Sequence, residues 1–184
     1  VQTCALPILA MRVLRFIPLV AALCGIAHAT TLEQLPLPDM ARQSTEIVRA
    51  KVIGSTGVRK GADVYTVYRI EVAETWKRSM KTDRTVEVAV PGGVADGLRQ
   101  MVSGAPQLRV GGDYLLFLWT GRSGITQVIG LSQGLFGVGL NSQGEWMANR
   151  APSSEVMLDS KGRPVRDEAV SMKLSDLKAR RSEE

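Results

Sequence analysis

Beyond residue 29 the chain has neither cysteine nor histidine; Cys4, Cys24 and His28 are its full complement of both types. That absence removes whole classes of chemistry from the remainder. No disulfide can form there, and no zinc site with sulfur or nitrogen ligands. Ser-His-Asp and Cys-His mechanisms lack their base. An all-oxygen Ca²⁺ site would need an Asp-rich loop, and none occurs at suitable spacing. Gly137-x-Gly139 followed by Gly144 misses both phosphate-loop spacings. No metal and no cofactor is therefore expected, and enzymatic activity is not favoured.

Charge of one sign is scarce too. With Arg12 and Arg15 set aside, 21 basic side chains face 18 acidic ones, a net charge of +3. Nucleic-acid binding calls for a more concentrated positive field. Past residue 29 there is no apolar run long enough to span a bilayer.

Residues 11–29 read as a leader. Met11-Arg12-Val13-Leu14-Arg15 is a positive n-region, Phe16 to Ile26 a short apolar h-region, and Ala27-His28-Ala29 an A-x-A cleavage site. Residues 11–29 are thus expected to be a secretory signal peptide, cleaved near Ala29, delivering the protein to the periplasm or the medium. Lipidation at Cys24 is disfavoured because Leu23 precedes it. Residues 1–10 are expected to be a non-native extension, since the n-region is complete from Met11. The 155 residues after Ala29 suffice for one domain with its own core.

What is present is a series of short apolar runs punctuated by Gly and Pro. Val48, Ala50 and Val52 alternate with Arg49 and Lys51 in a first strand over 46–54, and Ser55 to Ala62 reads as a polar, Gly-rich turn. Val64, Thr66, Tyr68, Ile70 and Val72 share one face of a long strand over 63–76. Lys77 to Arg84 forms a charged loop. Val86, Val88 and Val90 share a face of the next strand, which Pro91-Gly92-Gly93 stops. The segment 95–110 is one long irregular connection. Tyr114 to Trp119, apolar on both faces, reads as a central strand. Strands over 125–131 and 135–140 follow, with an edge strand over 144–148. A short helix is expected at Pro38–Gln43, and a second at Ser175–Arg181 with Ser175 as its N-cap.

The expected fold is all-β: a small OB-like antiparallel β-barrel of five to seven strands over 30–148, with short N- and C-terminal helices, then a polar tail over 149–184.

Two motifs suggest catalysis and yield to simpler readings. Gly130-Leu131-Ser132-Gln133-Gly134 fits the G-x-S-x-G nucleophile elbow, but the elbow needs a helix after it and a histidine. A tight turn explains the residues. Ser175-Asp176-Leu177-Lys178 fits S-x-x-K, and helix capping explains it. Glu71 and Glu74, three apart on a strand, should face opposite ways unless a bulge intervenes. Trp76, Trp119 and Trp146 would make a sugar-stacking platform if exposed together; Trp119 follows an apolar run and reads as core, whereas Trp76 and Trp146 lie at strand ends.

The ordered set Tyr65-Thr66, Val90-Pro91-Gly92-Gly93, Gly104-Ala105-Pro106, Leu115-Leu116-Phe117-Leu118 and Gly130 with Gln133-Gly134-Leu135-Phe136 resembles a group of secreted bacterial proteins without an assigned activity. The resemblance covers about residues 44–140 and implies an OB-like barrel, similar in architecture to the tissue-inhibitor-of-metalloproteinase and netrin modules. Those modules use disulfides, which this chain lacks past residue 29, so inhibitor function does not carry over.

The expected function is a secreted, non-catalytic binding module whose partner is a protein, peptide or polysaccharide of the cell envelope. The alternatives are an envelope hydrolase using Ser132 without histidine and an OB-type nucleic-acid binder. The expected site is Pro91, Gly92 and Gly93 with Gly104, Ala105 and Pro106 of the long connection, joined by Gln133 and Gly134. The competing structural role for that connection is a plug of Leu98, Met101 and Leu108.

Overall fold

The computed structural model describes residues 31–77, 84–153 and 155–182. The expected non-native extension over 1–10, the expected signal peptide over 11–29 and most of the charged loop after Lys77 lie outside the described residues. Strand makes up 54% of the structure and helix 13%, which places the protein in the all-β class.

In chain order the elements are β1 (Thr31–Glu33), α1 (Leu37–Gln43), β2 (Glu46–Lys60), β3 (Asp63–Lys77), β4 (Thr85–Pro91), β5 (Gly93–Ala95), β6 (Leu98–Gln100), β7 (Asp113–Thr120), β8 (Thr126–Val128), β9 (Leu135–Leu140), β10 (Trp146–Arg150), β11 (Val156–Leu158), β12 (Pro164–Val165), β13 (Val170–Lys173) and α2 (Leu174–Ser182). The main sheet runs β13-β10-β9-β7-β2-β3-β4, with β8 paired to β7. Every one of its pairings is antiparallel. The sheet curls until β4 lies beside β8, and Val88 and Val90 share a core with Val128. No ladder joins those two strands, so no closed ring of hydrogen bonds forms among the described residues.

Both faces of the sheet are covered. Val48, Val52, Ile70, Val88, Leu116 and Leu118 fill the inner side of the curl. On the outer side Ile47, Phe117 and Phe136 pack with Met40 of α1 and Leu174 and Leu177 of α2. Leu115 to Leu118 are fully buried in sequence because β7 sits between β2 and β9 with a core on either face.

The structure departs from sequence expectation in several places. β2 continues through the segment expected as a turn, and only Gly61-Ala62 connect Lys60 to its partner Asp63. The β-branched run of β3 supplies a partner strand for that whole length. The connection 95–110 holds the β5–β6 hairpin, turned by Asp96 and Gly97, both at positive φ. β10 is not an edge, since β9 and β13 flank it. The polar tail carries more than a helix: β13 extends the main sheet, and β11 joins β1 and β12 in a three-stranded sheet. α2 begins at Leu174, so Ser175 lies inside its first turn and donates to Asp176 Oδ1 at 3.1 Å.

Candidate functional site

One cleft forms where β4 ends. Gly92 and Gly93, at φ 92° and 131°, swing the chain across β3. Gly92 N–H donates to Val64 O at 2.8 Å, and Thr66 Oγ1 donates to Gly92 O at 2.9 Å. β5 then passes so close over the β2–β3 hairpin that a Cβ on Gly57 would stand 1.8 Å from Val94 O. Val64 N–H donates to Gln100 Oε1 at 2.6 Å and fixes β6. The result is a cleft of about 360 Å³.

Of the residues expected at the site, Pro91, Gly92, Gly93, Ala105 and Pro106 line this cleft together. Gly104 lines an adjoining one of about 470 Å³, which Ala105 shares with Ser132 and Arg150. Gln133 and Gly134 line neither. Gln133 is 2% exposed; its Nε2 donates to Glu33 O at 2.9 Å and its Oε1 accepts from Leu35 N–H at 2.8 Å. It fastens the N-terminal segment, and Gly134 is pressed against the backbone carbonyls of Ile129 and Phe117. As for the expected plug, Leu108 is buried in the inner core, but Leu98 is exposed and Met101 is 88% exposed. Arg99, the only charged side chain in the cleft, has no ion-pair or hydrogen-bond partner among the described residues.

Neither motif that suggested catalysis sits in the surroundings that its chemistry requires. Leu131 to Gly134 form a 3-10 turn entered through positive φ at Gly130 and Leu131, and strand β9 follows where an elbow needs a helix. Lys178 of the S-x-x-K match is bound to Glu74.

A second cleft, of about 480 Å³, opens on the outer face between β2, β3, β10 and α2. Two bulges in β3 create it. The register steps from Ala50↔Val72 to Arg49↔Glu74, leaving Ala73 over, and from Val48↔Thr75 to Ile47↔Lys77, leaving Trp76 over. The first puts Glu71 and Glu74 on the same face, as a bulge was required to do. They are held apart by different cations, Glu71 by Arg84 at 3.1 Å and Glu74 by Lys178. The same bulge puts Trp76, two residues beyond Glu74, on the outer face, where it is buried in the outer core. Trp119, expected in the core, is 46% exposed. It lies past the layer formed by Leu115–Leu118, paired with Gln127, its ring against Gly121.

Around this cleft each cation has its own carboxylate. Arg49 forks onto Asp113, with Nη2–Oδ2 at 2.7 Å, and its guanidinium lies 4.0 Å over the Trp146 ring. Lys173 bonds Glu145 at 2.6 Å. The Lys178 hydrogen bond holds the Glu74 carboxyl below its usual range; partial burial opposes this, and Trp76 and Arg49 add to the pull. The Trp76 indole N–H is buried with no acceptor at hydrogen-bonding geometry among the described residues, so its pull on Glu74 falls short of a full hydrogen bond. Lys173, then Asn141, lowers Glu145, and Glu145 in turn raises Lys173. Sequence reading missed this network: Glu74 and Lys178 are 104 residues apart, with no local signal joining them.

Among the described residues no group of three or more His, Cys, Asp or Glu is placed to hold a metal ion, and no helix is long and apolar enough to cross a membrane. Comparison with protein-family models, curated proteins and solved structures found no match.

Proposed function

We propose that the protein is a secreted, non-catalytic binding module built on an open OB-like barrel, and that the cleft at Pro91–Gly93 receives an extended segment of an envelope peptide or polysaccharide. The observation that carries this reading is the combination of a fixed backbone floor with exposed Val94 and Met101 lining the cleft, exposed Leu98 on the neighbouring β6, and an Arg99 unpaired among the described residues. Isolated surface apolar residues are ordinary; two on one hairpin and a third just after it, beside a preformed cleft, are the pattern of a contact surface. The barrel reading is supported by β4 turning in beside β8, and export by the Met11–Ala29 pattern. The resemblance to secreted bacterial proteins with such barrels points the same way.

The test is a pull-down from the native envelope fraction with wild type and with a variant whose 95–103 segment is replaced by Gly and Ser. Partner recovery should fall to background in the variant while its circular dichroism keeps the strand signature. Equal recovery by both would move the site elsewhere.

A further inference from the structure

The tryptophans divide by position. Trp76 and Trp146 meet at the outer cleft, while Trp119 lies apart. Trp146 is 44% exposed, and Arg49, tied down by Asp113, braces its ring. An indole braced this way offers a flat apolar platform at little further entropy cost. Around it the charges cancel: Arg49, Lys173 and Lys178 are each bonded to one of Asp113, Glu145 and Glu74. A charged ligand could be neutralised here only by breaking one of those pairs. A neutral ligand need break none, because a bonded carboxylate keeps lone pairs and a bonded ammonium keeps N–H donors.

We propose that this cleft binds a neutral pyranose-type saccharide, with the C–H face of the sugar on Trp146 and its hydroxyls on Glu145, Glu74 and Ser175. A pyranose ring has the required shape, one flat apolar face with hydroxyls around its edge. The cleft volume of about 480 Å³ accommodates one or two such rings. This site is separate from the Pro91–Gly93 cleft and on the opposite side of the sheet.

The test is titration of the full chain with N-acetylchitotriose, cellotriose and maltotriose, following the indole N–H resonances by NMR. At least one sugar should shift the Trp146 signal saturably. Trp146→Ala should weaken that binding by about tenfold or more, and Glu145→Gln, a rim change that spares the indole, should weaken it less. Trp119→Ala and the 95–103 replacement should leave it unchanged, which separates this site from the other cleft. Absence of a Trp146 shift up to about 10 mM sugar would overturn the proposal. So would equal loss in Trp119→Ala, or binding confined to an anionic polymer such as polygalacturonate.

Discussion

The Pro91–Gly93 cleft and the Trp76–Trp146 cleft occupy opposite faces of one sheet and are made by different means. The first is made largely by backbone: glycines at positive φ, a hairpin turned by Asp96-Gly97, and the Val64 main chain, whose carbonyl accepts from Gly92 N–H and whose N–H donates to Gln100 Oε1. Its one charged side chain, Arg99, has no partner among the described residues. The second is made by long side chains from distant parts of the chain, and every charge in it is already matched. A backbone-built cleft should fail by collision and be indifferent to pH. A cleft built from exposed ion pairs should tolerate single losses and respond to acid.

The buried pair Arg150–Asp167 sets the upper bound for what an ion pair does in this fold. Its side chains are 10% and 3% exposed, the N···O distance is 2.7 Å, and Asp167 Oδ2 also accepts from Ser153 N–H. Asp167→Ala should cost about 3–5 kcal/mol in urea unfolding, because the guanidinium is left buried without its counter-charge. A loss below about 1 kcal/mol would mean that water reaches Arg150 freely.

Gly57→Ala comes next. The added Cβ would meet Val94 O and Val94 C, both backbone, at 1.8 and 2.9 Å. The β5–β6 hairpin must lift, with an expected cost of about 2–3 kcal/mol. Unchanged stability together with unchanged amide-exchange protection in β5 would contradict the contact.

Lys178→Ala should cost only about 0.5 kcal/mol, since both partners of its pair with Glu74 are more than a third exposed. A cost near that of Asp167→Ala would erase the distinction between the two kinds of pair.

The smallest effect concerns acid. The folded-state pKa values of Glu74 and Glu145 are lowered, so their contribution is fully present above the ordinary glutamate range. It fades as pH falls through that range toward the lower folded values. The α2 amides should lose exchange protection below about pH 4.5, before β5 and β6 do. In Glu74→Gln the acid response of α2 should shrink. Simultaneous loosening of both clefts would show that acid acts on the whole fold instead.

Much of the fold was legible in the chain. Alternation of Val64, Thr66, Tyr68, Ile70 and Val72 marks β3, and the unbroken apolar run of Leu115–Leu118 marks a central strand. Pro91-Gly92-Gly93 and Ala105-Pro106 do share a cleft, as loop chemistry suggested. Less was legible where one residue's position depends on a partner strand. Gln133 looked like a turn residue and is a buried clamp on Glu33 and Leu35, 100 and 98 residues away. The tail looked solvated, yet Val170 to Lys173 find a partner in β10.

By itself, then, the sequence determined the strand periods, the turn residues and the want of cysteine and histidine beyond residue 29, because these are properties of contiguous residues or of composition. Tertiary structure alone decided which tryptophan is buried, that Glu71 and Glu74 share a face, and that Gly57 must remain without a side chain. Each of those depends on bulges and close approaches between strands, and register is settled by the summed packing of two faces, not by the local pattern of either strand.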